Sequence, residues 1–276
     1  MSNRLLTSLV GLPLLFAIIW TGSPLITALV IISAFIGFIE FRRLAILASA
    51  KVAYLLTAPW LLLFLLCAAL STSYYYQLII LIVGSIILFI WTVINQRNAI
   101  IKNYAYSLIA PICLGFLLSH ALLINGTHVL MPGEKWLFLV IIVTFATDTG
   151  AFLTGKFIGK HKLAPTISPG KTWEGAAGGI IWAIASALII NYIVTSTSDL
   201  TYNTLGNSTG LIVLGLLGVN IGIIAQCGDL CESILKRKAG VKNSSSLLPG
   251  HGGILDRLDS IVFTIPVMYY WIKLVL

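Results

Sequence analysis

Apolar residues run along this chain in long blocks, and polar or charged residues are confined to the gaps between them. The blocks recur at about 20 residues, the length of an α-helix that crosses a bilayer. They begin with Leu5 to Trp20, just after M-S-N-R, and continue at 24–40, 52–70, 77–95, 104–124, 136–155, 175–195, 209–228 and 259–275. The pattern predicts nine membrane-spanning helices. Interfacial aromatics such as Trp60, Tyr74 to Tyr76, Trp136 and Trp271 support the assignment. The first block resembles a secretory signal in its single basic residue and apolar run. It lacks a small-x-small cleavage site and is followed at once by a second block, so it reads as an uncleaved first helix.

Composition agrees with the pattern. With 276 residues, 58% of them hydrophobic, and a mean hydropathy of +1.00, the chain has more apolar surface than a soluble core could hide. The fold class expected is all-α, a polytopic integral membrane protein. A net charge of +8 could suggest nucleic acid, but the cations sit in short gaps beside apolar spans, where anionic membrane lipid is the nearer partner. Nucleic acid is therefore excluded as a partner. Cys67, Cys113, Cys227 and Cys231 lie in apolar runs without zinc-ligand spacing and read as small core residues, the last two one helical turn apart beside Asp229.

The cations also orient the chain. The gaps after spans 2, 4, 6 and 8, together with Arg4, hold 15 of the 17 Lys and Arg, while the opposite side keeps only Lys135 and Lys273. By the positive-inside rule the N-terminus is cytoplasmic. Acids divide the chain differently. Seven of the nine lie from Asp148 onward. Residues 1–130 (spans 1–5) are accordingly read as a scaffold. Residues 131–276 (spans 6–9) are read as a catalytic region, with cytoplasmic polar loops at 156–174 and 229–258.

Two polar segments carry the candidate chemistry. The stretch from Ser233 to Asp259 gathers Lys236, Arg237, Lys238, Lys242, Arg257, His251, Asp256, Asp259 and four glycines, and Q-C-G-D-L-C-E just upstream adds Asp229 and Glu232. Such a mixture suits a polyanion: carboxylates hold a divalent cation, cations and backbone N–H groups hold phosphate oxygens, and glycines permit close approach. Asp229 and Glu232 are three apart, as are Asp256 and Asp259, so each pair lies on one side of a helix wherever a helix continues there. His251, in G-H-G-G, suits a phosphate or metal-shell contact better than a general base.

The second segment begins with Asp148, inside an apolar span, where a carboxylate costs about 2.5–3.5 kcal/mol and calls for a partner. It continues as G-K-F-I-G-K-H-K-L-A-P-T-I-S-P-G-K-T-W-E-G. Gly-Lys-Thr invites a P-loop reading, but Pro165 stands where the first glycine is required and no buried strand precedes it. What survives is local chemistry: Ser168 and Thr172 offer hydroxyls, Lys171 a charge, and Gly170 an open backbone near a helix N-terminus that favours phosphate.

These two segments, S-x-x-K-R-x-x-x-K followed by P-G-H-G-G-x-x-D-R-x-D, and D-T-G-A-F-L-T-G-K through S-P-G-K-T-W-E-G, resemble the signature of the phosphatidate cytidylyltransferases, or CDP-diacylglycerol synthases. The resemblance covers most of the second half of the chain. It implies transfer of the cytidylyl group of CTP to phosphatidate, giving CDP-diacylglycerol and pyrophosphate, with Mg²⁺ as cofactor and a second monovalent or divalent cation as a further candidate. Carried onto this sequence, it points to Asp229 and Asp256 as metal ligands, with Asp148 a third candidate. Asp229, Asp256, Asp259 and Lys236 become the catalytic candidates, and Ser168, Lys171, Thr172, Arg237, His251 and Arg257 the substrate-binding ones. A bacterial inner-membrane location goes with this reading, the distribution of Lys and Arg independently puts both motif segments on the cytoplasmic side, and a homodimer is a candidate assembly. One departure stands out: the family's pattern has Lys-Asp where this chain has Lys242-Asn243, which keeps an oxygen ligand but loses a charge. Two alternatives fit less well. A CDP-alcohol phosphotransferase requires an aspartate pattern that Asp256-Arg257-Leu258-Asp259 does not match, and a secondary transporter would place its acids nearer mid-bilayer.

Overall fold

A computed structural model describes residues 2–70, 73–95, 99–127, 129, 132–196, 208–247 and 252–276. The helices are α1 (Ser2–Thr21), α2 (Leu25–Leu47), α3 (Tyr54–Leu70), α4 (Tyr74–Asn95), α5 (Ile100–Ala110), a π-helical segment (Pro111–Leu117), α6 (Leu118–Asn125), α7 (Gly133–Ile158), α8 (Trp173–Ser196), α9 (Ser208–Lys238), α10 (Leu255–Leu258) and α11 (Ile261–Leu274). The protein is an all-α polytopic membrane protein. Among the described residues, six helical stretches have the length and hydropathy of a bilayer span: α2, α4, the continuous 100–125 helix, α7, the 173–190 part of α8, and α9 from Gly210. The other three expected spans fall on α1, on the shorter apolar helix α3, and on α11, which has 14 residues.

Three local departures from the hydropathy reading have physical causes. The span expected at 104–124 is one helix with a π-helical centre. Pro111 opens that centre, and a proline inside a helix removes an N–H and crowds the preceding turn, so the ladder lengthens there. The loop expected at 156–174 contains a small antiparallel hairpin, β1 (Lys162–Ala164) paired with β2 (Ser168–Thr172). Finally, α9 runs ten residues past the expected end at 228, so Asp229, Glu232 and Lys236 stand on a helix. It stops at Gly240, whose φ of +70° lets the Gly240 N–H reach the Arg237 carbonyl and the Val241 N–H reach that of Lys236, a Schellman closure.

The chain forms two compact units, residues 1–127 with 235–258 and residues 128–234 with 259–276. In the first, Trp60, Phe64 and Leu88 are buried where α3 packs on α4. The Trp60 indole donates to the Ile80 carbonyl at 3.0 Å, over Gly84, where any side chain would collide with it. Away from water every backbone group needs a partner. Asn103 and Ser107 on α5 accordingly accept the backbone N–H groups of Lys51 (2.9 Å) and Ala53 (3.1 Å) in the α2–α3 turn. Ile79, Ile82, Ile86 and Phe89 of α4 face outward, an apolar surface suited to acyl chains.

The second unit is built on close helix approach. Gly150 of α7 lies beneath Trp182 of α8, and Gly178 lies against Thr154. Gly218 of α9 is against Ile184, and a Cβ added there would fall 2.7 Å from that backbone. Small residues at such crossings replace the hydrophobic drive that lipid cannot supply. Thr144 and Thr264 share a hydrogen bond of 2.9 Å that joins α7 to α11.

Candidate active site

In the second unit, α7, the hairpin, α9 and the start of α11 converge their charges. The Lys171 ammonium, at the end of β2, lies 2.8 Å from Asp229 on α9, and also approaches the Gln226 carbonyl at 3.5 Å. The Ser233 hydroxyl approaches Asp229 at 3.5 Å from one turn along. Asp148 accepts from the Ser260 hydroxyl at 3.5 Å and is within electrostatic reach of Asp259, Asp229 and Lys171. The backbone of residue 259 comes so close to α9 that a Cβ on Gly228 would sit 2.6 Å from the Asp259 carbonyl. Three carboxylates thus share one neighbourhood with one lysine.

The hairpin that presents Lys171 is held at its base. Glu174 accepts the Lys160 N–H at 3.0 Å and the His161 N–H at 3.2 Å, and its Oε1 lies 2.6 Å from His161 Nδ1. Thr172 is buried, and its hydroxyl accepts the Gly175 N–H at 3.1 Å, which caps α8. Ser168 is half-buried on β2, and Gly170 has open space around its Cα.

In the first unit, the Schellman turn after α9 delivers Ser244 and the following residues to Asp256. Lys236 Nζ meets Asp256 Oδ1 at 2.8 Å, with both side chains largely buried. Asp256 Oδ2 accepts three further bonds, from Ser244 N–H (2.9 Å), Ser244 Oγ (2.9 Å) and Gly253 N–H (2.8 Å). Gly252 has a φ of +85°, and a Cβ there would fall 2.6 Å from Asp256 Oδ2, so the G-G of G-H-G-G is a steric requirement of the turn. Burial pushes the Asp256 carboxyl up. The Lys236 bond, the Gly253 N–H and the Ser244 hydroxyl outweigh it and leave the group below the ordinary aspartate range.

A pH dependence follows with a definite sign. A carboxyl held lower in the folded state stabilises the protein at pH above its unfolded value, about 3.9, and that stabilisation disappears as pH falls through the folded value. Wild type should melt above Lys236→Met in detergent by the widest margin near neutral pH, and the margin should shrink on acidification, because the variant's carboxyl, deprived of Lys236, takes up its proton at a higher pH than that of wild type. A margin that does not change with acidification would contradict this account.

The remaining candidates are placed as follows. Arg237 is exposed and donates to the Val241 carbonyl at 3.3 Å, Arg257 is exposed on α10, and Asn243 is exposed. His251 lies outside the described residues. Among the described residues no group of three or more His, Cys, Asp and Glu side chains is closely enough gathered to hold a metal ion. Sequence reasoning overlooks Glu40 on α2, which is 5% exposed and accepts four hydrogen bonds, from Ser244, Ser245, Ile254 and Leu255. The available signal was an acid in an apolar helix, the same one that singled out Asp148.

The pattern of the Cytidylyltransferase family matches residues 2–275. The chain belongs to this family. Over 271 residues, 97% of each chain, it is 33% identical to the phosphatidate cytidylyltransferase of Staphylococcus haemolyticus. With that of Staphylococcus aureus (strain COL) it shares 34% over 273 residues, again 97% of each. A 42% match to the phosphatidate cytidylyltransferase of Haemophilus influenzae extends over 173 residues, 63% of this chain and 57% of that one.

Proposed function

We propose that the chain transfers the cytidylyl group of CTP to phosphatidate, giving CDP-diacylglycerol and pyrophosphate, at a site on the cytoplasmic face of a bacterial inner membrane. The observation that carries this reading is that Asp148 lies within electrostatic reach of Asp259, Asp229 and Lys171, the last two ion-paired, in a membrane cytidylyltransferase. The orientation rests on the 15 Lys and Arg assigned to one side.

The reaction asks little of a protein base. The nucleophile is a phosphate oxygen of the lipid, already anionic at neutral pH. It attacks the α-phosphorus of CTP, a new P–O bond forms as the bond to the β-phosphate oxygen breaks, and pyrophosphate leaves with that electron pair. Two polyanions must be held in line and their charge offset, which is a task for cations and fixed dipoles. Three carboxylates against one lysine leave the second unit's cluster net negative, a charge that a divalent cation arriving with the substrate phosphates would offset. Asp229 and Asp148 in the second unit would be Mg²⁺ ligands there, and Asp256 in the first unit is a candidate ligand considered by itself. Bound Mg²⁺ supplies charge neutralisation at the phosphates. Lys171 and Lys236 already sit on carboxylates, and their ammonium groups turn to phosphate oxygens when nucleotide binds. Arg237 and Arg257, exposed at the polar border, meet lipid or nucleotide phosphate.

The test follows the label of α-³²P CTP in purified protein in detergent. Label should enter an organic-soluble lipid only when phosphatidate and Mg²⁺ are present, with one pyrophosphate released per lipid labelled. Label that stays in the aqueous phase with every phospholipid offered would remove the proposal.

A further inference from the structure

We infer that Glu40, in the half of the chain outside both motifs, is a positioning residue for this reaction: it fixes residues 244–245 and 254–255 and, through Ser244, the Asp256 carboxylate. The inference rests on the function proposed above. Glu40 Oε1 accepts the Ser245 hydroxyl (2.6 Å) and the Ile254 N–H (3.1 Å), and Oε2 accepts the Ser244 hydroxyl (3.0 Å) and the Leu255 N–H (2.8 Å). One buried carboxylate therefore binds residues 244–245 and residues 254–255. The Ser244 hydroxyl also lies 2.9 Å from Asp256 Oδ2, so its single proton is shared between Glu40 and Asp256. Gly253 completes the cradle: a Cβ there would collide with Ser244 Oγ and with both Glu40 oxygens. Only a group with two acceptor oxygens satisfies all four donors. A glutamine in either orientation would aim its NH₂ at a backbone N–H, leaving two donors opposed.

A purely structural Glu40 would change how much folded protein is obtained, but not how the folded protein uses CTP and Mg²⁺. A positioning residue changes that usage. Partners that orient a ligand-bearing carboxylate typically alter metal affinity or activity by 10–100-fold, so Glu40→Gln should raise the Mg²⁺ concentration for half-maximal label transfer about tenfold or more. The KM for CTP should rise with it, measured on the folded variant well below its melting temperature. In metal-free protein, hydrogen exchange at the Ile254 and Leu255 amides should accelerate. Ser244→Ala should show a smaller loss of the same kind, and Glu40→Gln with Ser244→Ala should lose less than the product of the single losses, because both act through one link.

Multiplicative losses, or unchanged Mg²⁺ and CTP dependence in folded Glu40→Gln, would overturn the inference. If Glu40→Gln does not accumulate as folded protein, Glu40→Asp decides: it keeps the charge one methylene short, and a shifted Mg²⁺ dependence at near wild-type melting supports the role, while an unshifted one overturns it. A wild-type chain that transfers no label overturns the functional reading and this inference together, whereas active wild type with unaltered variants overturns the inference alone.

Discussion

Asp256→Asn is expected to abolish most label transfer and to lower the melting temperature at the same time. The double effect comes from burial. The Lys236 and Asp256 side chains are only 12% and 7% exposed, and both Asp256 oxygens are engaged, one by the ammonium and the other by two N–H groups and a hydroxyl. Asparagine must turn its NH₂ toward Lys236 or toward the Ser244 and Gly253 N–H groups, so a donor faces a donor either way. Stranding one member of a buried ion pair costs about 3–5 kcal/mol, far above the worth of an exposed pair. For the chemistry, losing a proposed Mg²⁺ ligand should reduce transfer by about 100-fold or more at ordinary Mg²⁺. The two effects are separated by measuring specific activity well below the variant's melting temperature. Full activity there, with only the melting point reduced, would make Asp256 a structural residue and would refute its proposed role.

The contrast between what hydropathy reveals and what it hides is instructive here. Each apolar block falls on a helix because the bilayer forces intrahelical hydrogen bonding wherever side chains are apolar. Where helices end is set by other forces. The block at 24–40 stops at the first charges, yet α2 continues to Leu47, because Glu40 finds four donors and the helix loses nothing by carrying it. The block at 209–228 stops at Asp229, yet α9 ends only where Gly240 adopts a left-handed conformation. That stop was readable from a glycine following three basic residues. The Ser233–Asp259 motif named Lys236 and Asp256 but not the bond between them, because a separation of 20 residues has no fixed geometry. Glu40 was hidden more deeply. It lies 204 residues from Ser244, and no local spacing relates a lone acid in one apolar helix to a turn that distant.

Asp229→Asn should separate the two effects that Asp256→Asn combines. Lys171 and Asp229 are 22% and 32% exposed, so their 2.8 Å ion pair is partly solvated. Pairs of that kind contribute about 0–1 kcal/mol, and removing one charge leaves a lysine that water can still reach. The melting temperature should therefore stay close to that of wild type. Activity should not. Asp148, Asp229 and Asp259 share one neighbourhood, and the proposed role of that negative charge is to hold a divalent cation against substrate phosphates. Losing a metal ligand should cut transfer about 100-fold or more at ordinary Mg²⁺, with partial recovery as Mg²⁺ is raised if the remaining carboxylates still bind it weakly. Lys171→Met gives the opposite sign at the metal: it removes the competing ammonium, so Mg²⁺ should bind no more weakly while the KM for CTP rises through the lost phosphate contact. If Asp229→Asn instead melts early and keeps its activity, the carboxylate serves the packing of the hairpin against α9. The cation would then have to be held by other residues.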